Sequence, residues 1–347
     1  MTAAESPAIG IAILGAGFMG QTHAGAWKAL GDRVRVEVVA SRTAARAAAV
    51  AEAAGSGVVV ADLQVAITDP RVDLVDICLP TPLHRTAAEA AFAAGKHVLL
   101  EKPLALSRAD GEAILDAADR AGRTLLVGLV LRHRPEYQRL HELAADGAIG
   151  TVRSASALRL SPPADWADWF IDPAQSGGVA VDLMVHDFDQ LNSLLGPART
   201  VHARCVRRGA HSAPQHVVSV TSHPGGAGLA EGGMMLPASY PFTSGLRVLG
   251  DGGILEYPFA AGPAVDGGNI DGVDQEANRL RLYPADGAAS LVDVESADPW
   301  HRQAAYLVGC LEAGRAPEIG TGDQALAALR VSLAANRSLQ TGNVEEV

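Results

Sequence analysis

The feature that most constrains the fold of this chain is a segment of six residues with three glycines, which directly follows an apolar segment. Residues 9–14 are almost entirely apolar, which predicts a buried parallel strand, and residues 21–30 have helical character. Between them, residues 15–20 read Gly-Ala-Gly-Phe-Met-Gly. A Gly-x-Gly-x-x-Gly run that leaves a strand and opens a helix is typical of the turn that binds the pyrophosphate of a dinucleotide.

Each glycine has its own physical task in such a turn. We expect Gly15 to permit the tight turn, Gly17 to leave its backbone open to the pyrophosphate, and Gly20 to let the helix pack closely on the strand. The pyrophosphate would then lie at a helix N-terminus. Phe18 and Met19 belong to the same turn and are also predicted cofactor contacts. The alternative is a glycine-rich turn that binds nothing, and the flanking strand and helix argue against it.

The end of the second predicted strand, residues 34–40, indicates which cofactor is preferred. An acidic side chain at this position binds the 2′-hydroxyl of NAD and repels the 2′-phosphate of NADP. This chain has Ser41 and Arg42 there, with Arg46 one helical turn further on. A hydroxyl and a guanidinium suit a phosphate, so NADP is the predicted cofactor and NAD the alternative. Stacking of Arg42 on the adenine of either cofactor stays open.

Apolar strands and helical segments alternate through the first third of the chain. Further strands are predicted at residues 58–60, 73–79, 97–100 and 124–129, and helices at residues 43–54, 85–94 and 107–121. This alternation predicts an α/β domain of the Rossmann type with a doubly wound parallel sheet. At 347 residues the chain is longer than one hydrophobic core usually supports, so a second domain is expected.

The residues that follow the fourth predicted strand are further candidate contacts. Pro80 and Thr81 leave that strand, and His84 begins the next helix. We predict that all three contact the cofactor, although His84 taken singly fits a residue that only starts a helix. His23, on the helix behind the glycine run, is interpreted as structural rather than catalytic.

The strand predicted at residues 97–100 ends abruptly in Glu101, Lys102 and Pro103. Proline has no N–H and a fixed φ, so the strand must stop there. Ligands in an open α/β sheet collect just outside the carboxyl ends of the strands. Glu101 and Lys102 are therefore predicted to lie beside the cofactor, the alternative being a solvated pair of charges at a strand exit.

The pattern changes after Arg132. Residues 151–160 alternate like an antiparallel strand, and several more alternating strands fill residues 201–291. Helices are predicted near residues 136–146, 300–313 and 323–339. These elements predict an α+β domain on a mostly antiparallel open sheet. The predicted domains are residues 1–130, which bind NAD(P), and residues 131–347, which bind the substrate and mediate oligomerisation.

A second polar constellation lies in residues 176–189, where two glycines precede a predicted helix. Asp182 and His186 are four residues apart, so on a helix they would share one face. A carboxylate beside an imidazole orients it and stabilises its charged form, as a general base requires. Asp189 follows three residues later on that face. The alternative is an acidic helical turn with a core histidine.

Taken together and in their order, the glycine run, the Glu-Lys-Pro strand exit and the Gly-Gly-x-x-x-Asp-x-x-x-His-x-x-Asp run resemble the Gfo/Idh/MocA family of sugar and inositol oxidoreductases. The resemblance covers essentially the whole chain and indicates no particular substrate. It implies that Lys102 lies near the reacting centre and that Asp182 and His186 act with it.

The reaction implied by this resemblance is reversible hydride transfer between a nicotinamide cofactor and a CH–OH group of a sugar, cyclitol or related polyol. His186 would act as the general base with Asp182 orienting it, and Lys102 would stabilise negative charge on the reacting oxygen. The predicted substrate contacts are Asp189, Trp169 and Arg132. Two other functions stay open: redox-neutral glycoside cleavage with a tightly held cofactor, and NAD(P) sensing without turnover.

Three positions depart from the family pattern. Met184 stands where family members often have glycine, and Leu131 stands where inositol dehydrogenases often have a polar residue. Ser41 likewise replaces the aspartate of many inositol enzymes. These departures point away from inositol itself and leave the reaction class unchanged.

The composition argues against several classes of partner. A formal net charge of -11 disfavours a nucleic-acid groove, which needs a basic face, and anionic membranes. The absence of a signal-like or membrane-spanning segment predicts a cytoplasmic protein. Cys78, Cys205 and Cys310 are far apart and form no Cys-x-x-Cys pair, so no metal site is predicted. The expected partners are a small-molecule substrate and further copies of the chain, as a homodimer or homotetramer.

Overall fold

The computed structural model describes residues 8–163, 172–206, 216–261 and 278–347, which divide into two units that each contain one sheet. The first unit holds the residues up to 105, residues 109–133 and residues 297–323. The second holds residues 106–108, 134–296 and 324–347. The predicted domain boundary between residues 130 and 131 stays a prediction, and this division adds that residues 297–323 pack within the first unit.

The first unit is built on a six-stranded sheet in the order β3-β2-β1-β4-β5-β6, with every pair parallel. The strands are β1 (Ile9–Leu14), β2 (Val34–Ala40), β3 (Val58–Val60), β4 (Leu74–Ile77), β5 (His97–Leu100) and β6 (Leu125–Val127). The strands β4 and β6 are buried throughout, as expected where helices cover both faces of a parallel sheet. The predicted doubly wound sheet is confirmed. Its strand order reverses between β1 and β4, the point where such sheets bind ligands.

Helices follow the strands of this sheet in alternation. They are α1 (Phe18–Lys28), α2 (Ala44–Ala54), α3 (Leu63–Ile67), α4 (His84–Ala93) and α5 (Arg108–Ala121). The helix α2 ends because Gly55 adopts the left-handed conformation, with φ of +77°, that glycine takes without strain. Short 3₁₀ turns at Thr81–Leu83 and Val130–His133 follow β4 and β6.

The second unit is built on a nine-stranded sheet in the order β14-β13-β12-β11-β7-β10-β9-β8-β15. The strands are β7 (Val152–Leu160), β8 (Thr200–Val206), β9 (His216–His223), β10 (Gly226–Gly233), β11 (Thr243–Gly250), β12 (Gly253–Ala260), β13 (Arg281–Pro284), β14 (Ser290–Leu291) and β15 (Glu345–Glu346). Neighbouring strands in the described ranges pair antiparallel, except β7 and β10, which are parallel. The predicted mostly antiparallel sheet is confirmed.

The second unit also contains helices between residues 135 and 195. They are α6 (Pro135–Ala145), α7 (Pro173–Ser176), α8 (Gly178–Asp182) and α9 (Val185–Leu195). The helix α9 packs on β7 and β10. A buried ion pair joins these layers, since Arg159 of β7 donates from Nε and Nη2 to the Asp187 carboxylate at 3.2 and 3.0 Å. This pair keeps both buried charges compensated.

Two helices near the end of the sequence belong to different units. The helix α10 (Pro299–Glu312) packs on α1, and its Leu307 and Val308 join Trp27 in the core of the first unit. The helix α11 (Gly322–Thr341) belongs from residue 324 onward to the second unit. In the described part of the chain, no helix combines the length and hydropathy that crossing a bilayer requires.

Candidate active site

The glycine run forms a tight turn whose first and last glycines admit no side chain. Gly15 has a φ of +107°, and a Cβ atom there would lie 2.3 Å from the carbonyl oxygen of Cys78. A Cβ atom at Gly20 would lie 2.2 Å from the carbonyl oxygen of Gly15. The close approach of α1 to β1 and to the exit of β4 therefore requires glycine at both positions.

The middle glycine has the opposite environment. Gly17 is the exposed N-cap of α1, and a Cβ atom there would meet no described atom within 4 Å. The first turn of α1 carries no acidic side chain, so no carboxylate of this turn competes with an anion for the positive end of the helix. Phe18 is 41% exposed and Met19 is half-buried beside it. This cradle fits a pyrophosphate, as a helix N-terminus attracts anions.

The exit of β2 presents two cations to solvent. The Ser41 hydroxyl accepts a hydrogen bond from the backbone N–H of Thr43 at 3.2 Å, which fixes the start of α2. Arg42 and Arg46 are exposed, and neither side chain forms an ion pair with any residue that the structure describes. The exit therefore carries positive charge where a 2′-phosphate is predicted.

At the exit of β4, His84 joins two loops of the first unit. Its Nδ1 lies 2.9 Å from the carbonyl oxygen of Pro103, and its Nε2 lies 2.9 Å from that of Leu79. Burial lowers the pKa of this imidazole. Thr81 is also buried, and the neighbouring Pro80 precedes it in the same turn. His84 begins α4 as expected, while the three cofactor contacts predicted here stay predictions.

The strand β5 ends at Leu100, as the proline at residue 103 predicted. The next side chain, Glu101, is buried, and its Oε2 accepts a hydrogen bond from the backbone N–H of Lys102 at 3.2 Å. Gly128, just beyond β6, makes room for this carboxylate, because a Cβ atom there would lie 2.8 Å from Glu101 Oε1. The half-buried Lys102 thus follows a residue with a closely confined side chain.

A buried cluster of charged residues behind this exit was not predicted. His23 Nδ1 lies 3.0 Å from both carboxylate oxygens of Asp76, a residue of β4, and Trp27 Nε1 donates to Asp76 Oδ2 at 2.7 Å. On the other side of the ring, His23 Nε2 lies 3.1 Å from Glu101 Oε1, close enough for an ion pair but not aligned for a hydrogen bond. The signal in the sequence was a single aspartate inside the apolar strand Leu-Val-Asp-Ile.

The electrostatics of this cluster favour a charged imidazole. Burial, the largest single effect, would lower the pKa of His23, but the Asp76 carboxylate and Cys78 together outweigh it and hold the pKa well above its usual value. Burial and the same carboxylate raise the pKa of the Cys78 thiol, 3.4 Å from His23 Nδ1, to about 12. His23 is buried, and its interpretation as structural rather than catalytic stays a prediction.

In the second unit, two glycines form the start of α8 as expected. Gly177 and Gly178 have φ of +78° and +74°, and a Cβ atom at Gly177 would lie 2.6 Å from the Cβ atom of Val181. Asn336 of α11 donates from Nδ2 to the Gly177 carbonyl oxygen at 2.9 Å. The glycine pair is thus required by the backbone itself.

The prediction of one continuous helix through Asp182 and His186 is wrong. Asp182 is the last residue of α8 and His186 the second residue of α9, with Leu183 and Met184 between the two helices. A spacing of four residues therefore does not by itself place the two side chains on one helical face. Both are nevertheless buried, at 3% and 8% exposure.

The break between these helices coincides with Met184, the residue that departs from the family pattern. Its side chain is fully buried, and a Cβ atom at Gly232 of β10 would lie 2.3 Å from Met184 Cγ. A methionine is accommodated here because the facing strand carries glycine.

The predicted substrate contacts have different environments. Asp189 is buried and accepts a hydrogen bond at Oδ2 from Gln190 Nε2 at 3.3 Å, and Gln190 Oε1 lies 2.8 Å from His141 Nε2. Arg132 is half-buried in the 3₁₀ turn after β6. Trp169 lies outside the described residues. The roles of Lys102, of the two residues around the helix break and of these contacts stay predictions.

Comparison with known proteins places the chain among oxidoreductases. Residues 9–129 match the family described as "Oxidoreductase family, NAD-binding Rossmann fold", and residues 137–256 match the "GFO/IDH/MocA C-terminal domain". The chain is 29% identical over 313 residues to D-xylose 1-dehydrogenase (NADP(+)) 2 of Haloferax volcanii, covering 89% of this chain and 91% of that protein.

Two further relatives support the same assignment. The chain is 31% identical over 258 residues to dTDP-3,4-didehydro-2,6-dideoxy-alpha-D-glucose 3-reductase of Streptomyces violaceoruber, covering 73% of each protein. The crystal structure of GenD2 from gentamicin A biosynthesis, in complex with NAD, aligns with a TM-score of 0.83 at 27% identity, covering 99% of this chain and 98% of that one. The two family models match consecutive parts of the chain, the first over the parallel sheet and the second over much of the antiparallel sheet. This chain therefore belongs to the Gfo/Idh/MocA family of oxidoreductases.

Proposed function

We propose that this enzyme transfers a hydride reversibly between a nicotinamide cofactor and a CH–OH carbon of a sugar, cyclitol or related polyol. The observation that carries the proposal is the cradle at Gly17, open to solvent where the strand order reverses and closed to side chains at Gly15 and Gly20. Relatives named as a xylose dehydrogenase and a deoxysugar reductase support the substrate class.

Residues of the chain are proposed to transfer the hydroxyl proton and to stabilise the negative charge on the reacting oxygen. When bound, the nicotinamide would supply or accept the hydride. Lys102 binds the reacting oxygen and stabilises the negative charge that develops on it. His186 takes the hydroxyl proton during oxidation and returns it during reduction, and Asp182 orients the imidazole. Asp189 is proposed to accept hydrogen bonds from substrate hydroxyls.

A screen of sugars and polyols with both cofactors tests the function. Absorbance of the reduced nicotinamide reports turnover, and at least one CH–OH substrate is expected to give a rate far above the rate without protein. No turnover across aldoses, cyclitols and deoxysugars would contradict the proposal. If cofactor stays bound through gel filtration while glycosides are cleaved without net cofactor reduction, the redox-neutral alternative holds. Cofactor binding with neither reaction would indicate a sensor.

We further propose that NADP is preferred over NAD. The support is the chemistry of the β2 exit, where Ser41 replaces an acid and both Arg42 and Arg46 are exposed. A guanidinium pairs well with a phosphate. The relative from Haloferax volcanii is named as an NADP(+) enzyme, whereas GenD2 was solved with NAD.

Arg42→Ala is expected to weaken NADPH binding by about ten- to a hundredfold, the value of a charge-assisted hydrogen bond partly screened by solvent. NADH binding should change only a few-fold, since NADH has no 2′-phosphate. Titration followed by intrinsic tryptophan fluorescence measures both affinities. The matched control is Arg35→Ala, which removes an exposed arginine near the start of β2, at the opposite end of this strand from Arg42. Equal losses for the two cofactors in Arg42→Ala would mean that Arg42 only stacks on adenine.

Gly17→Ala is expected to separate cofactor binding from folding. Its backbone φ of -91° suits alanine and the added methyl group meets no described atom, so Tm should stay near that of the wild type. The methyl group would keep the backbone N–H groups from the pyrophosphate and weaken the affinity for both cofactors by about tenfold or more.

Two glycine variants on the same turn and helix serve as comparisons. Gly25→Ala, on an exposed and open position inside α1, should leave the affinity unchanged and raise Tm slightly, because alanine has the higher helix propensity. Gly20→Ala should lower Tm, because its Cβ atom would clash with the Gly15 carbonyl. If Gly17→Ala leaves the cofactor affinity unchanged, the pyrophosphate does not bind at this turn.

We also propose that copies of the chain associate through the exposed face of the second sheet. Alternate side chains on this face are apolar and uncovered, among them Val218, Val220, Leu229 and Leu249, at 39–52% exposure. Exposed apolar patches of this kind mark association sites. Sedimentation should show a dimer or tetramer that Val220→Glu weakens, and a wild-type protein that stays monomeric at micromolar concentration would refute the proposal.

A further inference from the structure

The buried cluster around His23 has no role in the reaction as proposed so far. Its members come from three separate elements: His23 from α1, Asp76 from β4 and Glu101 from the exit of β5. They are 2%, 0% and 5% exposed. Two carboxylates buried this deeply need a compensating positive charge, and the imidazole between them is placed to supply it.

The same cluster reaches the proposed catalytic lysine through one side chain. Glu101 faces His23 with Oε1 and accepts the backbone N–H of Lys102 with Oε2. Gly128 leaves room for this carboxylate, because a Cβ atom there would lie 2.8 Å from Oε1. The Glu101 carboxylate therefore lies between the His23 ring and the backbone N–H of Lys102, with Gly128 beside it.

His23 also belongs to the helix that carries the cofactor cradle. It lies six residues after Gly17 in the sequence, and both residues belong to the turn and helix that open the pyrophosphate site. The contact from His23 to Glu101 thus runs from the cradle helix α1 to the lysine turn within the first unit.

We propose that protonated His23 is a positioning residue, which holds the Glu101 carboxylate and, through it, the backbone of Lys102 in register with the cofactor-binding helix. The inference rests on the proposed function, in which Lys102 contacts the reacting oxygen. His23 itself touches neither substrate nor cofactor in this role.

The charge state of the ring has a definite dependence on pH. The titratable groups that face His23 are Asp76 and Cys78 from β4 and its exit, and Glu101 from the exit of β5. Because the folded-state pKa of His23 is raised, its contribution to stability is complete below the usual histidine pKa of about 6.5. That contribution is lost as the pH rises through the raised pKa. Positioning should therefore persist at neutral pH and weaken on the alkaline side.

The cluster also has the composition of a metal site. His23, Asp76 and Cys78 place one ligand atom each within 4.8 Å of one another. The geometry favours a proton, because Nδ1 is equidistant from the two oxygens of Asp76, as a shared N–H would be.

The first test needs no substrate. Nitrogen-15 NMR of histidine-labelled protein, with the His23 signal assigned by its loss in His23→Gln, should show both ring nitrogens protonated at neutral pH. A neutral His23 ring overturns the proposal. So does a stoichiometric transition metal found by elemental analysis of the purified protein. The protonation state of His23 can be measured even if no sugar or polyol is turned over, so this test is independent of the proposed function.

The second test separates positioning from stability. His23→Gln should lower kcat by about a hundredfold, the effect of a small displacement of a catalytic group. The Kd of the cofactor should change only a few-fold, and the alkaline limb of the kcat profile should shift. Trp27→Phe is the control, since it removes a donor to Asp76 without changing the cluster's charge. It should lower Tm and leave kcat near the wild-type value.

A second variant keeps the test open if His23→Gln fails to fold. Gly128→Ala leaves every charge in place and displaces the Glu101 carboxylate directly. It should lower kcat by far more than it raises the cofactor Kd, which is expected to rise somewhat because Glu101 is also a predicted cofactor contact. If either variant changes only Tm, or if cofactor affinity falls in step with kcat, His23 is a structural residue and the proposal fails.

Discussion

Lys102→Ala is expected to lower kcat by about two to four orders of magnitude on any substrate that the wild-type enzyme turns over. A positioned ammonium group stabilises charge that develops on the reacting oxygen in the transition state, and loss of such assistance has effects of this size. Lys102 follows the carboxyl end of β5 and is half-buried, with its backbone held by Glu101. Steady-state kinetics with the reduced nicotinamide as the readout measures the effect.

Cofactor affinity and a second lysine give the controls for this result. Because Lys102 is also a predicted cofactor contact, the Kd of the cofactor should rise, but by far less than kcat falls. Lys28→Ala, which removes an exposed lysine from the last turn of α1, should keep wild-type kinetics. If Lys102→Ala retains most of the wild-type kcat, the lysine has no part in charge stabilisation.

His186→Ala is expected to lower kcat by a similar two to four orders of magnitude, roughly the contribution of a general base together with the charge it stabilises. Cofactor affinity should be almost unchanged, because His186 belongs to the second unit and every described cofactor contact predicted here belongs to the first. His186 is 8% exposed, so the similarly buried His223→Ala, at 6% exposure and on the same unit, is the matched control. Near wild-type turnover by His186→Ala would end its assignment as the base.

Asp182→Asn distinguishes two roles for the neighbouring carboxylate. If Asp182 only orients the imidazole, Asp182→Asn should lower kcat less than His186→Ala does, since the asparagine amide oxygen still accepts a hydrogen bond. Equal losses in the two variants would mean that Asp182 relays the proton. The comparison requires the same substrate, cofactor and pH for both proteins.

The parts of the site that depend on local backbone geometry were predictable. Gly15 has the positive φ that the turn required, Gly17 is open, and Gly20 is packed against backbone. The strand before Pro103 ends where a residue without an N–H would end it. Each of these features depends on residues a few positions apart, so hydrophobic period and backbone sterics were enough.

The helix through Asp182 shows where local reasoning failed. A spacing of four predicts a shared face only if the helix continues, and it breaks at Leu183 and Met184. The methionine packs against Gly232, a residue 48 positions away in the sequence. No pattern within the helical segment could report that contact.

The sequence by itself determined the class of fold, the dinucleotide turn and the family, because these follow from short segments with strong backbone preferences. The tertiary structure decided which charges neutralise one another. Asp76 reads in the sequence only as an acid inside an apolar strand, and its partner His23 lies 53 residues earlier. The tertiary structure also placed α10 in the first unit, although the segments before and after it in the sequence belong to the second. Burial and charge compensation depend on which distant residues meet, and that is a property of the packed chain alone.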